Sequence, residues 1–256
     1  MSKNLKFKLI ALILFLPFYG SYAQQKLTVV VAANLKSAMD SMIIIYQKEN
    51  PNEIIQATYG SSGKLFEQIQ NGAPFDLFFS ADLLYPKKLK DAGFGISKVK
   101  TYALGKIVLW SKKTDPNIQQ MNTLLSNDIK KISIANPVAA PYGAKAVESM
   151  KYFKVYEKIK NKLVYGENIA QTAQFIAFGA ADIGIISLSD ALSSKMKKEG
   201  GKYYIIPENS YSPIEQGCVI LKHGKQNPLS TKFYNFVSTP KAIEILTYFG
   251  YSQKKE

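Results

Sequence analysis

Short apolar runs alternate with amphipathic helical segments along most of this chain. Residues 27–32 form a nearly continuous apolar run, and the segment after Ala33-Asn34 places Ala38, Met42 and Ile45 on one helical stripe. The same step from apolar run to helical segment recurs after residues 54–59, 76–79, 132–135, 162–164 and 183–186. Strands that alternate with helices are typical of βαβ units. We therefore predict an α/β fold with mainly parallel sheets flanked by helices.

Two apolar extended runs break this alternation, because neither residues 106–111 nor residues 217–222 lead directly into a good helical segment. We interpret both as hinge crossover strands that join two lobes. Lobe 1 would then comprise residues 24–103 and 217–256, and lobe 2 would be the continuous insert 104–216. Two lobes joined by hinge strands predict a clamshell that closes over a ligand.

The first 23 residues have the pattern of a signal peptide. Three lysines among the first eight residues precede an apolar stretch at 9–15, and Ser21-Tyr22-Ala23 supplies small residues for a signal peptidase. We predict cleavage after Ala23 and export to the periplasm. The single cysteine, Cys218, lies far from this region, so we expect neither a lipoprotein anchor at the cleavage site nor a disulfide.

The composition argues against several classes of function. The formal net charge is +14, but the lysines are scattered over many segments, and an exported protein is not expected to bind nucleic acid. With one histidine, His223, and one cysteine there is no zinc motif, and there is no Gly-x-Ser-x-Gly elbow or phosphate-binding glycine loop. We therefore predict that the protein is not an enzyme and has no cofactor.

Hydrogen-bond donors gather where the predicted strands lead into helices. The loop Gly60-Ser61-Ser62-Gly63 ends a strand and opens a helix, whose first N–H groups have no partner within the helix. Comparable junctions recur, with candidate anion-binding donors at Asn34, Ser62, Tyr142, Ile169 and Ser187. Singly, each is a helix cap. Together in one cleft they would form a cage for a small, fully ionised oxyanion, whereas an anion that keeps a proton, such as phosphate, would need an acceptor.

Several of these junctions also share their sequences with a known family. They are Val31-Ala32-Ala33-Asn34-Leu35, Gly60-Ser61-Ser62-Gly63-Lys64-Leu65, Asn71-Gly72-Ala73-Pro74-Phe75-Asp76-Leu77-Phe78-Phe79-Ser80-Ala81-Asp82, Pro141-Tyr142-Gly143-Ala144 and Glu167-Asn168-Ile169. Through these motifs the chain resembles the periplasmic molybdate-binding proteins of ABC transporters, and the resemblance extends over essentially the whole mature chain. The resemblance implies a two-lobed periplasmic-binding-protein fold of type II.

The resemblance also implies the ligand and its contacts. A molybdate or tungstate dianion would be held by hydrogen bonds alone, with no direct ligand to the molybdenum. The side chain and amide of Asn34, the hydroxyl of Ser62 and the backbone N–H groups of Tyr142 and Ile169 would donate to it. Ser187 departs from the family pattern, because better-known members have an anion-contacting tyrosine at this position.

The function implied is capture of the anion between the lobes and its delivery to a membrane permease, by a protein that is a monomer. A sulfate- or thiosulfate-binding protein of the same fold is the nearest alternative, since sulfate carries the same charge. An exported serine hydrolase using Ser62 with Lys64, at Ser-x-Lys spacing, is a second. A basic adhesion or surface-interaction protein is a third. The residues alone do not separate molybdate from sulfate.

Overall fold

The structure is a computed structural model that describes residues 25–254. The predicted signal peptide and its cleavage site after Ala23 therefore lie outside the described residues. Ten strands are present in this part of the chain: β1 (Gln25–Ala32), β2 (Glu53–Gly60), β3 (Leu77–Ser80), β4 (Lys100–Gly105), β5 (Ile107–Ser111), β6 (Ile132–Ala135), β7 (Leu163–Gly166), β8 (Ile183–Ser187), β9 (Lys202–Ile205) and β10 (Ile214–Ile220).

The strands form two five-stranded sheets with the same internal arrangement. The first has the order β2-β1-β3-β10-β4 and the second the order β7-β6-β8-β5-β9. In each sheet the first three strands are parallel, and the fourth is antiparallel to both of its neighbours. The sheets are therefore mixed, whereas the sequence predicts mainly parallel ones. The antiparallel strand of each sheet, β10 or β5, is the strand that begins after the chain has crossed from the other sheet.

Helices cover the faces of both sheets. A short 3-10 helix, Ala33–Leu35, follows β1 directly. The α-helices are α1 (Lys36–Glu49), α2 (Ser62–Gln70), α3 (Leu84–Asp91), α4 (Pro116–Gln119), α5 (Pro141–Tyr152), α6 (Tyr156–Ile159), α7 (Ile169–Ala177), α8 (Leu188–Leu192), α9 (Ser194–Lys198), α10 (Pro228–Phe236) and α11 (Pro240–Tyr248). Among the residues described, no helix is both long enough and apolar enough to cross a membrane.

The C-terminal helices pack on the first sheet, although the second sheet intervenes in the sequence. Phe233 of α10 and Leu246 of α11 are fully buried in one cluster with Leu27 and Val29 of β1. A separate cluster, which includes Ile132 of β6, fills the core of the second sheet. Burial of these apolar side chains is the main force that holds each sheet to its helices.

The chain passes between the sheets at two short connections. β4 ends in the first sheet at Gly105, and β5 begins in the second sheet at Ile107. The return lies between β9 and β10. Leu104 pairs with Glu215 in the first sheet, so strand pairing favours a crossing slightly after residue 104. The lobe boundaries at 104 and 216 stay predictions.

Candidate functional site

A small cavity lies where the parallel strands of the two sheets end. Four of the five predicted donors line it and Ser187 does not; its lining is Ala32, Ala33, Asn34, Gly60, Ser61, Ser62, Ala81, Ala140, Pro141, Tyr142, Asn168 and Ile169. Its volume is only about 10 Å³. A cavity of this size is near the minimum that holds one water molecule, so only a small, compact solute can fit between the walls. No lysine, arginine, histidine or carboxylate is among these lining residues.

Two helices of the second sheet present their N-termini to the cavity. Pro141 is the first residue of α5 and has no N–H group, so Tyr142 supplies the first one, and no side chain caps this helix. At α7, Asn168 Oδ1 accepts from the N–H of Gln171 at 3.0 Å, which leaves the N–H of Ile169 uncapped. Open N–H groups at a helix start carry partial positive charge and attract anions.

Ser62 occupies the opposite wall, at the start of α2. It is 1% exposed, and its Oγ accepts a hydrogen bond from the N–H of Ala81 at 3.0 Å. Because the oxygen acts as acceptor in this bond, its own proton points elsewhere. Ser62 can therefore donate to a ligand in the cavity.

The side chain of Asn34 is committed to other groups. Its Nδ2 donates to Oε1 of Gln216 and to the hydroxyl of Tyr251, both at 2.8 Å. An amide nitrogen has two hydrogens, so these bonds use both of them. The backbone N–H, in the 3-10 helix after β1, is the donor that Asn34 retains for a ligand.

The hydroxyl of Tyr142 takes part in a buried hydrogen-bond network. It accepts from Nε2 of Gln216 at 3.0 Å in a fully buried position. Burial raises the pKa of this hydroxyl well above its usual range, so it stays neutral. The backbone N–H of Tyr142, at the uncapped start of α5, is the group that the sequence predicts as a donor.

Ser187 lies outside the cavity lining and caps α8. Its Oγ accepts from the N–H of Asp190 at 2.9 Å and donates to Oδ2 of the same residue at 2.5 Å. Burial raises the pKa of Asp190 to about 7, although the bond from Ser187 opposes this shift. The structure does not bring Ser187 to the other four predicted donors, and its contact with an anion stays a prediction.

Ser61 lines the cavity and is the residue that the sequence does not distinguish. It is 3% exposed, and its Oγ has no hydrogen-bond partner among residues 25–254. The only signal in the sequence is the pair of adjacent serines at 61 and 62. The sequence does not show which of the two hydroxyls is hydrogen-bonded within the protein. The three-dimensional structure separates them.

Direct contacts join the two walls at the mouth of the cavity. The N–H of Gly63 donates to the carbonyl oxygen of Ala139 at 2.9 Å. Nearby, Nζ of Lys64 lies 3.0 Å from Oε1 of Glu167, in an ion pair whose side chains are about half exposed. The two walls are therefore in direct contact beside the cavity, as expected for a closed arrangement of the two sheets.

A closed cavity between two mixed sheets, lined by donors from both, is the architecture of a two-lobed solute-binding protein. The chain belongs to the family of bacterial extracellular solute-binding proteins, whose family model matches residues 27–252. It is 40% identical over 224 residues to the molybdate-binding protein ModA of Azotobacter vinelandii, covering 87% of this chain and 88% of the relative.

Solved structures agree with this assignment. The Azotobacter vinelandii periplasmic molybdate-binding protein superposes with a TM-score of 0.82 at 31% identity, covering 90% of this chain and 100% of that chain. The sulfate-binding protein SubI from Mycobacterium tuberculosis superposes with a TM-score of 0.73 at 15% identity, covering 89% and 86%. The second likeness shows the fold alone. The predicted type II fold and the family resemblance are confirmed.

Proposed function

We propose that the protein captures molybdate, and also tungstate, in the cavity between its lobes and delivers it to the permease of an ABC transporter. The observation that carries this proposal is the lining itself: it combines open backbone N–H groups with serine hydroxyls and contains no carboxylate. Such a site offers donors and no acidic acceptor, so it suits a dianion without a proton. The 40% identity to a molybdate-binding protein supports molybdate as the anion.

Capture would proceed by closure of the lobes. In the open protein the N-termini of α5 and α7 face solvent, and an anion bound to them also accepts from Ser62 on the other lobe. Closure removes water from the anion, and each hydrogen bond is stronger in the low-dielectric interior. The ligand shifts the equilibrium towards the closed state by the difference between its binding free energies for the closed and the open state.

Sulfate is the nearest competing ligand, because it has the same charge and the same tetrahedral shape. Discrimination must then come from the size of the cavity. Titration calorimetry of the protein with molybdate, tungstate and sulfate tests this directly. We expect molybdate and tungstate to bind much more tightly than sulfate. Equal affinity for sulfate would contradict the proposal.

The serine hydrolase alternative finds little support in the arrangement of its residues. Lys64 is paired with Glu167 at the mouth of the cavity. The Nδ1 atom of His223 lies 2.8 Å from Oδ1 of Asp76, and neither of these two residues lines the cavity with Ser62. A serine-directed covalent probe should therefore leave the protein unlabelled; labelling of Ser62 would revive the alternative.

The remaining parts of the proposal concern the location and the state of the protein. We propose that the mature protein begins at Gln24, resides in the periplasm as a monomer, and divides into lobes near residues 104 and 216. N-terminal sequencing of the exported protein tests the cleavage site. Light scattering with and without molybdate tests the monomer.

A further inference from the structure

The hydroxyl of Ser61 is a buried polar group that the rest of the protein leaves without a partner. Three such side-chain atoms occur among the described residues, and the other two belong to Thr123 and Ser230. Of the three residues, only Ser61 lines the cavity between the lobes. Burying a hydroxyl without a hydrogen bond is unfavourable, and native proteins rarely leave such a group without a reason.

The local geometry explains why Ser61 is unpaired. It is the N-cap residue of α2, with φ −74° and ψ 144°, and a serine there usually accepts from the N–H of the second or third helical residue. The second residue is Gly63, whose N–H is donated instead to the carbonyl of Ala139 across the cavity mouth. The side chain of Ser61 makes no capping bond. The mouth contact thus uses one of the two N–H groups that could satisfy this hydroxyl, and the other, at Lys64, makes no bond to it.

We propose that the Ser61 hydroxyl donates directly to the bound oxyanion, as a ligand beside Ser62; this assignment rests on the proposed function. A tetrahedral dianion offers several acceptor lone pairs, and a buried hydroxyl without another acceptor is a suitable donor to one of them. Ser61 then supplies a side-chain contact on the first lobe, while the hydroxyl of Ser187 remains engaged with Asp190.

The same arrangement couples closure to occupancy. When the cavity is closed and empty, the Ser61 hydroxyl is buried and unsatisfied, which penalises that state. An anion in the cavity accepts its hydrogen bond and removes the penalty. Ser61 therefore makes closure more favourable when the anion is bound than when the cavity is empty. The two closed states differ only in the ligand, which accepts the hydrogen bond of Ser61.

The test compares Ser61→Ala with Ser230→Ala, since both remove a buried, unpaired hydroxyl and only the first lies at the cavity. By titration calorimetry with molybdate, we expect Ser61→Ala to weaken binding roughly 10- to 100-fold, the scale of a hydrogen bond to a charged group. Ser230→Ala should bind like the unmodified protein. Thermal unfolding of the anion-free variants checks that each of them is folded.

A second variant guards against a change in packing. Cysteine in Ser61→Cys has a larger atom that is only a weak donor, whereas alanine leaves a gap, so weaker binding by both variants points to the lost donor and not to packing. If the unmodified protein binds molybdate and both variants bind it equally well, the assignment of Ser61 is wrong while the proposed function stands. If the unmodified protein binds none of molybdate, tungstate and sulfate, the proposed function fails and this assignment with it.

Discussion

Gln216 donates from Nε2 to the hydroxyl of Tyr142 at 3.0 Å, and this bond ties the first sheet to the start of α5. The Oε1 atom of the same amide accepts from Asn34 at 2.8 Å. Gln216 is 0% exposed and lies in β10, just after the chain has returned from the second sheet. One amide therefore links two residues whose backbone N–H groups are candidate donors on opposite walls of the cavity.

Replacement of Gln216 by leucine should leave Asn34 and Tyr142 each short of a buried hydrogen-bond partner. Because an unsatisfied buried group costs about 1–3 kcal/mol, we expect a clear loss of stability in urea unfolding, together with weaker anion binding by calorimetry. Gln56→Leu is the matched control, since Gln56 is exposed on β2 of the same sheet. Equal effects of the two substitutions would contradict a special role for the buried amide.

Gly63→Ala should hinder closure without harming the fold. A Cβ at this position would lie 2.9 Å from the carbonyl oxygen of Ala139 and 2.7 Å from the hydroxyl of Tyr85. These distances are too short for a relaxed contact, and the carbonyl belongs to the backbone of the facing wall. Alanine is also the better helix former. We expect weaker molybdate binding with no loss in the melting temperature of the anion-free protein; tight binding by the variant would show that the walls meet differently.

Ser62→Ala should have a double effect, which distinguishes it from Ser61→Ala. It removes a proposed donor to the anion, with an expected loss of about 1.5–3 kcal/mol of binding free energy. It also leaves the N–H of Ala81 without its acceptor, so the anion-free protein should become less stable as well. Calorimetry and thermal unfolding measure the two effects separately. Unchanged affinity would remove Ser62 from the site.

Removal of the ion pair at the cavity mouth should matter little. Lys64 and Glu167 are about half exposed, and a pair in that environment contributes at most about 1 kcal/mol. Lys64→Ala should therefore change molybdate affinity only a few-fold, with a smaller difference at high salt. A complete loss of binding would instead assign the ammonium group a direct role in holding the anion.

Asp190→Asn should change how stability depends on pH. Burial raises the pKa of Asp190 from 3.8 to about 7, so between these values the folded protein holds a proton that the unfolded chain has lost. The stabilisation that comes from this proton is therefore complete below about pH 4 and declines as the pH rises to about 7. Above about pH 7 it no longer changes with pH. Asparagine does not titrate, and its Oδ1 can still accept from Ser187. We expect the decline over this range to be shallower in the variant when urea unfolding is followed from pH 4 to 8.

Asp182→Asn is a control in which the pKa of the replaced carboxyl is shifted in the opposite direction. Burial tends to raise the pKa of Asp182, but hydrogen bonds from Lys113 and from the N–H groups of Lys131 and Lys130 outweigh it and lower the pKa. Its stabilising contribution is present above the unfolded pKa and is lost as the pH falls. Asp182→Asn should therefore destabilise the protein at neutral pH and less so in acid. The same sign of change in both variants would contradict this account.

Much of the fold follows from local pattern. The apolar run at 27–32 and the small residues at 60–63 predict β1 and the start of α2, because periodicity and turn residues act over a few positions. The edge strands β4 and β9 carry little apolar pattern, and the sequence does not predict them. Their pairing with β10 and β5 depends on neighbours far away in the chain.

The sequence by itself determined the family, the alternation of the central strands with helices, and four residues that the structure gathers around one cavity. Only the tertiary structure decided which donor atoms remain open. Asn34 loses its side-chain hydrogens to Gln216 and Tyr251, which lie 182 and 217 positions away. Ser61 and Ser62 are adjacent, yet only the hydroxyl of Ser62 accepts a hydrogen bond, from the N–H of the distant Ala81. The hydroxyl of Ser61 has no partner among the described residues. Hydrogen bonding depends on distances within about 3.5 Å, and those are set by how remote segments pack.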